Sequence, residues 1–293
     1  MRMSLKNVVS GKLDRPVRLT VYGPEGVGKS YLASKCPKPI FIGAEDGTSM
    51  LDIARFPEPK TFQDILDAVQ TLIAEDHDFK TAVVDTVDWA EPLLWKHVCS
   101  TFSDDKGRKH DTIASYPYGQ GYAAALDVWR GFLHKLDELR SKKNMHVVLL
   151  AHAHIRNFKN PLGEDYDRYE LKLNAKASGL LKEWPDAVFF ANFETLLHTE
   201  DNRAKGISSG KRVLYTERRA GFDAKNRFDM PPEISMDWET VWSYVSADRQ
   251  KDAEEMIKML KGDDKKKAQD AFKRAGTDNQ KLTKLIDWMK GKL

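Results

Sequence analysis

Eight consecutive residues, Gly23-Pro24-Glu25-Gly26-Val27-Gly28-Lys29-Ser30, spell G-x-x-x-x-G-K-[ST] in full. Glycines in such a run let successive backbone N–H groups curl around phosphate oxygens. The lysine reaches the β and γ phosphates, and the hydroxyl that follows it ligates Mg²⁺. Lys29 and Ser30 hold those two positions, with Tyr31 extending the nucleotide-contacting run. The flanks fit as well. Arg18–Tyr22 reads as a short β-rich run, and a helix is expected from near Gly28 through Ala33, its positive end toward the same charge. ATP and Mg²⁺ are the ligands this pattern implies.

A Mg²⁺ site of this kind needs a second carboxylate on a neighbouring strand, and Asp85 closes the apolar run Ala82-Val83-Val84. Asp85 is either that metal ligand or the N-cap of a following helix, and Asp88 is the near alternative. Hydrolysis needs a group to orient or deprotonate water. Glu45 follows the buried run Ile40–Ala44, expected beside the phosphate-loop strand, and is either that base or a solvated loop acid. His152 and His154 follow a fourth apolar run, Val147–Ala151. As an H-x-H pair they lack an obvious third metal ligand. His152 either senses the γ phosphate from the strand end or is an inward histidine bonded to backbone.

These residues need elements to position them. Apolar runs at Arg18–Tyr22, Ile40–Ala44, Thr81–Asp85 and Val147–Ala151 alternate with helical patterns, notably Ile65, Leu66, Val69, Leu72 and Ile73 within Thr61–Ala74. A second such face carries Tyr122, Leu126, Trp129, Leu133 and Leu136. Strands alternating with helices predict an α/β fold with a mainly parallel central sheet. Ala187–Ala191 and Arg212–Thr216 read as later strands. Ser103–Gly121 reads as a loop, Asn157–Asp167 as a turn or hairpin loop, and Glu200–Lys211 as a hairpin tip. Residues 1–244 are expected to form the ATPase core. Residues 245–293 form a small helical appendage of about three helices, with stripes such as Ala253, Met256, Ile257, Leu260 and a capping box at Thr277 and Gln280.

Composition removes other classes. The 293 residues are 41% hydrophobic and 31% charged, which excludes collagen-like and fully disordered chains. Two cysteines exclude a disulfide framework and a four-cysteine zinc site, and they fit a reducing cytoplasm. No apolar run approaches a membrane span, and the first residues lack a signal-peptide pattern. A net charge of +3 does not by itself argue for nucleic acid, so any basic surface is local.

Taken in order, these motifs resemble the RecA-type recombinase core. Ile42-Gly43-Ala44-Glu45-Asp46 looks like the strand that ends in that family's catalytic glutamate. Val83-Val84-Asp85-Thr86 looks like its Walker B strand, and Leu149-Leu150-Ala151-His152 lies where it has a γ-phosphate sensor, usually glutamine. Over roughly residues 15–235 the closer likeness is to phage RecA-like single-strand annealing ATPases, a P-loop recombinase family. It is carried also by Val84-Asp85-Thr86-Val87-Asp88-Trp89, Tyr118-Gly119-Gln120-Gly121-Tyr122 and Lys225-Asn226-Arg227. The resemblance implies a DNA-stimulated ATPase acting in recombination in a host bacterial cytoplasm. It implies a homo-oligomer, ring or filament, on single-stranded DNA, with a single-strand-binding protein as a possible partner.

By the same resemblance two loops face DNA. Lys106, Arg108 and Lys109 with Tyr116 and Tyr118 belong to the first, and Arg156 and Lys159 to the second. Cations there would follow the backbone while rings stack on bases; the plainer reading is solvated charge and packed tyrosine. Arg218, Arg219, Lys225 and Arg227 are either residues that reach a neighbouring subunit's ATP or a basic face. A loader ATPase acting mainly on a protein, such as a helicase, is the alternative function.

Overall fold

The computed structural model describes residues 8, 15–43, 48–200, 203–245, 249–276 and 279–292. Glu45 and Thr277, both singled out from the sequence, lie outside the described residues. In chain order the elements are β1 (Arg18–Gly23), α1 (Lys29–Ser34), β2 (Pro39–Gly43), β3 (Ala54–Arg55), α2 (Phe62–Ala74), β4 (Thr81–Asp85), α3 (Val87–Thr101) and α4 (Gln120–Lys143). Then come β5 (His146–Phe158), β6 (Tyr166–Leu171), α5 (Ala175–Glu183), β7 (Ala187–Glu200), β8 (Arg203–Tyr215) and β9 (Glu233–Ser235). Four helices follow: α6 (Trp238–Val245), α7 (Arg249–Met259), α8 (Gly262–Ala275) and α9 (Asn279–Lys290).

The sheet runs β3-β2-β4-β5-β1-β7-β8-β9, with β6 paired to β5 off this path. Strands β1, β2, β3, β4, β5 and β7 pair in parallel, while β8 and β9 close one edge antiparallel. This is the α/β fold with a mainly parallel central sheet expected from the sequence. β4 is buried along its whole length and β1 nearly so, because central strands covered by helices on both faces need continuous apolar runs. Two expectations of adjacency are corrected. β2 lies three strands from β1, with β4 and β5 between them, and β5 also stands between β4 and β1. Sequence order cannot reveal that insertion, since β5 comes from much later in the chain.

Helix α2 begins where the sequence places it. Thr61 Oγ1 accepts from Asp64 N–H, and the Asp64 carboxylate accepts from Thr61 N–H, a complete capping box. Its Ile65, Val69, Leu72 and Ile73 are buried, each contributing about 1.5–3 kcal/mol. Trp129, Phe132, Leu133 and Leu136 of α4 join the same core.

Four segments differ from the sequence reading. β7 runs on to Glu200 and β8 begins at Arg203, so most of the expected hairpin tip Glu200–Lys211 is paired strand. β5 continues past Ala151 to Phe158 because β6 pairs with it from Ala153↔Leu171 to Phe158↔Tyr166, so of the two readings of Asn157–Asp167 it is the hairpin that forms. α5 carries no strong stripe and was not anticipated. The stretch read as a loop to Gly121 contains two short 3-10 turns, Ile113–Ser115 and Pro117–Gly119, and Gly121 already lies in α4. A side chain at Gly121 would come within 2.5 Å of Ile113 O, so glycine is required there.

The chain divides into two compact units, one of Pro16–Trp238 and one that includes Glu239–Leu293. In the second, Ala253, Ile257, Leu260, Ala268, Leu282, Leu285 and Met289 make a core of their own, so the apolar stripes become α7, α8 and α9. Among the described residues no helix is long and apolar enough to cross a membrane.

Candidate nucleotide site

The parallel register puts the carboxyl ends of β1 and β4 together, on either side of the middle of β5. Gly23 pairs with His152 and Asp85 with Leu150. Open α/β sheets bind ligands at this edge. The Gly23–Ser30 loop leaves β1 there, and its shape depends on glycine. A Cβ on Gly23 would meet Ala191 O at 2.1 Å, while Gly26 and Gly28 are left-handed at φ 72 and 102. Between them Val27 is fully buried and pins the loop. Pro24 is half-buried and Glu25 exposed. Lys29 is buried and curls back over the loop, its Nζ donating to Gly23 O at 3.1 Å and Pro24 O at 3.0 Å. Tyr31 faces outward with Lys35 Nζ 5.0 Å from its ring centre.

Asp85 is inaccessible to solvent, and burial raises its carboxyl above the ordinary value, partly offset by Ser30, Lys29 and His152. Neither of its oxygens accepts a well-formed hydrogen bond; Ser30 faces the group without completing one. A buried carboxylate left this way is unfavourable alone and suited to a cation. Asp85, Ser30 and the loop therefore fit a nucleotide-bound Mg²⁺.

Asp88 does not share that environment. His152 N–H donates to Asp88 Oδ1 at 2.8 Å, and His152 Nδ1 lies 2.9 Å from Oδ2. Burial works against ionisation, yet these bonds hold Asp88 below the ordinary carboxylate range. His154 is half-exposed, and burial beside Arg156 lowers its pKa. Among the described residues no group of three or more His, Cys, Asp or Glu could hold a metal, so the H-x-H pair has no third ligand there.

Glu91 was missed by the sequence reading. It lies one turn beyond Asp88, on the buried face that carries Val87, Ala90, Leu94 and Val98. Burial pushes its carboxyl up to about 7, and it accepts from the Asn174 N–H at 3.0 and 3.2 Å. The Trp129 indole N–H faces the same carboxylate and favours its charge, short of a well-formed bond. An acid on an otherwise apolar helical stripe was the signal that could have found it.

In the first proposed DNA loop, buried Asp104 accepts from the backbone N–H of Lys106 and Arg108, from the Arg108 guanidinium at 2.9 Å and from His110. These bonds hold Asp104 well below the ordinary range. Lys109 Nζ donates to Ser100 O, while Lys106 is exposed. The assignment of Tyr116 as a stacking ring is corrected. The residue is 2% exposed, packs on Phe102 and His110, and donates its hydroxyl to Phe102 O, so no base can reach its face. Tyr118 is the opposite case, fully exposed with φ 52.

In the second loop, Arg156 lies on the β5–β6 hairpin 4.0 Å from Glu170, and Lys159 pairs with Asp165 near its turn. The late basic residues are also paired. Arg218 meets Asp223 at 3.3 Å, Arg219 meets Glu233 at 3.6 Å, and Lys225 Nζ donates to Glu183 O at 2.8 Å. Burial beside Arg227 lowers the Lys225 pKa. Arg227 lies 3.5 Å from Asp186, which binds Arg18 at the start of β1. That is the sheet edge opposite the phosphate loop, roughly 17 Å away along β1.

Comparison with known proteins adds the following. A solved structure titled the RadB recombinase aligns over 76% of this chain and 86% of its own, at 15% identity and a TM-score of 0.44. No curated protein sequence matches the chain. The family model AAA_24, described as an AAA domain, matches residues 15–228, which takes in β1 through the segment after β8. With most of its length inside that match, the chain belongs to the AAA_24 family of AAA domains.

Proposed function

We propose that the chain is a Mg²⁺-dependent ATPase that assembles on single-stranded DNA and promotes annealing or strand pairing. The observation that carries the nucleotide part is Asp85, a buried carboxylate whose oxygens lack bonds while Ser30 and Lys29 stand beside it. Bound Mg²⁺ would supply charge neutralisation on the phosphates. Gly23 to Ser30 would wrap those phosphates, Lys29 would leave its two carbonyls for them, and Ser30 and Asp85 would hold the cation. Glu45 is the proposed proton acceptor for the attacking water. His152 is the proposed sensor, at the point where β5 runs past the end of β1.

For the DNA part, support comes from Tyr118, a wholly exposed ring in the same inter-helix segment as the exposed Lys106 and Arg108. A non-glycine residue at positive φ with its ring in solvent is uncommon and suits a contact made on binding. Arg227 has no route to its own chain's phosphate loop from the opposite sheet edge, which supports a contribution across a subunit boundary.

The test is ATP turnover and oligomer size, with and without single-stranded DNA, for the wild type and Lys29→Ala. Turnover should rise with DNA and vanish in the variant. Turnover stimulated only by a protein partner would favour the loader. Turnover that persists in Lys29→Ala would remove the loop from the mechanism.

A further inference from the structure

We propose that Arg212 is an additional phosphate-binding residue supplied to the loop from the same chain; this rests on the nucleotide site proposed above. The sheet register brings it there. β7 runs parallel to β1 with Phe190 beside Tyr22, so continuing β7 carries Phe193 past the start of the loop. Arg212 on β8 is the cross-strand partner of Phe193. A methyl group built on Gly28 would sit 3.0 Å from Arg212 Nη1 and 3.6 Å from its Cζ. The guanidinium therefore occupies the space that a side chain at Gly28 would need. Glycine is favoured at that position by its left-handed φ, and the guanidinium lies against the face it leaves open.

The charge is held in place without being neutralised. The Phe193 ring centre lies 5.8 Å from the guanidinium carbon, and Val213, the next residue, is buried and anchors the strand. Other basic residues nearby have acidic partners: Lys211 with Glu194, Arg218 with Asp223 and Arg219 with Glu233. Among the described residues no carboxylate pairs with Arg212. A guanidinium stacked on a ring and set against a loop shaped for polyphosphate matches phosphate oxygens with its planar fork of donors. It also sits at a weak point of the β7–β8 pair, where the register shifts between Phe193 and Thr195 and Gly210 takes φ 74. Phosphate contact there would fix the root of that hairpin.

The experiment measures binding of fluorescent mant-ADP and mant-ATP with Mg²⁺ to full-length wild type, Arg212→Ala and Arg212→Lys across a salt series. Hydrogen exchange is followed at Phe193 and Arg212. Arg212→Ala should weaken both nucleotides roughly tenfold and flatten the salt dependence, because one ionic contact is gone. Arg212→Lys should recover part of the affinity, since it keeps the charge and loses the fork. The melting temperature without nucleotide should not change, because the side chain is exposed. Nucleotide should protect the two amides in the wild type and not in Arg212→Ala. Wild-type affinity in Arg212→Ala overturns the proposal while leaving the loop assignment intact. An affinity loss accompanied by a lower nucleotide-free melting temperature and an unchanged salt slope also overturns it, as a structural role. A wild type that binds neither nucleotide overturns the nucleotide site itself, and this inference with it.

Discussion

His152 grips Asp88 with both its backbone N–H and its ring, at 2.8 and 2.9 Å. An ionised carboxylate only accepts, so Nδ1 carries the proton and a neutral ring has its lone pair at Nε2. In this tautomer His152 meets a phosphate as a donor only when doubly protonated. Asp88→Asn offers one acceptor and one donor, so the ring should move its proton to Nε2, seen in the imidazole ¹⁵N shifts. Asp88→Ala removes both contacts and should cost about 1–3 kcal/mol in urea unfolding. An unchanged tautomer in Asp88→Asn would show that something other than Asp88 sets the ring.

Asp85→Asn separates stability from ligand binding. The carboxylate is buried and lacks well-formed bonds, so the neutral amide should raise the melting temperature without nucleotide. Mg²⁺-dependent ATP affinity should fall roughly tenfold or more, as for loss of a charge-assisted contact worth about 1.5–3 kcal/mol. Binding measured without Mg²⁺ should change much less. A variant that is less stable and keeps its Mg²⁺ dependence would assign Asp85 to the fold alone.

Glu91 predicts a pH dependence. Its carboxyl is raised by burial from 4.5 to about 7. Between those values the folded state binds more protons than the unfolded one, so stability falls as pH rises through this window. The rise corresponds to roughly 3 kcal/mol, fully present below about pH 4.5 and lost as pH rises through about 7. Glu91→Gln keeps an oxygen for the Asn174 N–H and removes the titration. It should flatten stability from pH 5 to 8 and exceed the wild type at pH 8. Denaturant midpoints across that range are the measurement, and a parallel wild-type slope in the variant would place the titration elsewhere.

What could be read in the sequence follows from how contiguous each feature is. The phosphate loop is eight neighbouring residues, and the apolar stripe of α2 repeats within Thr61–Ala74, so both were visible. Asp85 was visible because its strand ends where its apolar run ends. Contacts made by topology were not. Asn174 reaches Glu91 only after the β5–β6 hairpin returns the chain to α3. Arg212 reaches Gly28 only because β7 aligns with β1 and β8 folds back on β7. Tyr116 and Tyr118 lie two residues apart in one polar stretch, and composition cannot tell a packed ring from an offered one.

That pair supplies the last prediction. Tyr116 is packed and hydrogen-bonded to Phe102 O, whereas Tyr118 is bare. Tyr116→Ala should therefore destabilise the fold by about 3–5 kcal/mol, the range for truncating a buried aromatic. Tyr116→Phe should cost about 1 kcal/mol for the lost hydrogen bond. Tyr118→Ala should leave the unfolding midpoint unchanged, because the ring is in solvent and alanine keeps the same positive φ. If its ring stacks on a base, single-stranded DNA affinity falls by about 1–3 kcal/mol, with the salt slope unchanged because a ring displaces no counterions. Lys106→Ala should do the reverse, flattening the log–log salt slope by roughly 0.7 for one phosphate contact on a single strand. Arg108→Ala combines a lost cation with a loosened turn, since Asp104 keeps His110 and its backbone donors but gives up the guanidinium. DNA titrations at several salt concentrations, run beside thermal melts, read all of these. Tyr118→Ala that binds DNA like the wild type, together with an unaltered slope in Lys106→Ala, would take this loop out of the DNA interface.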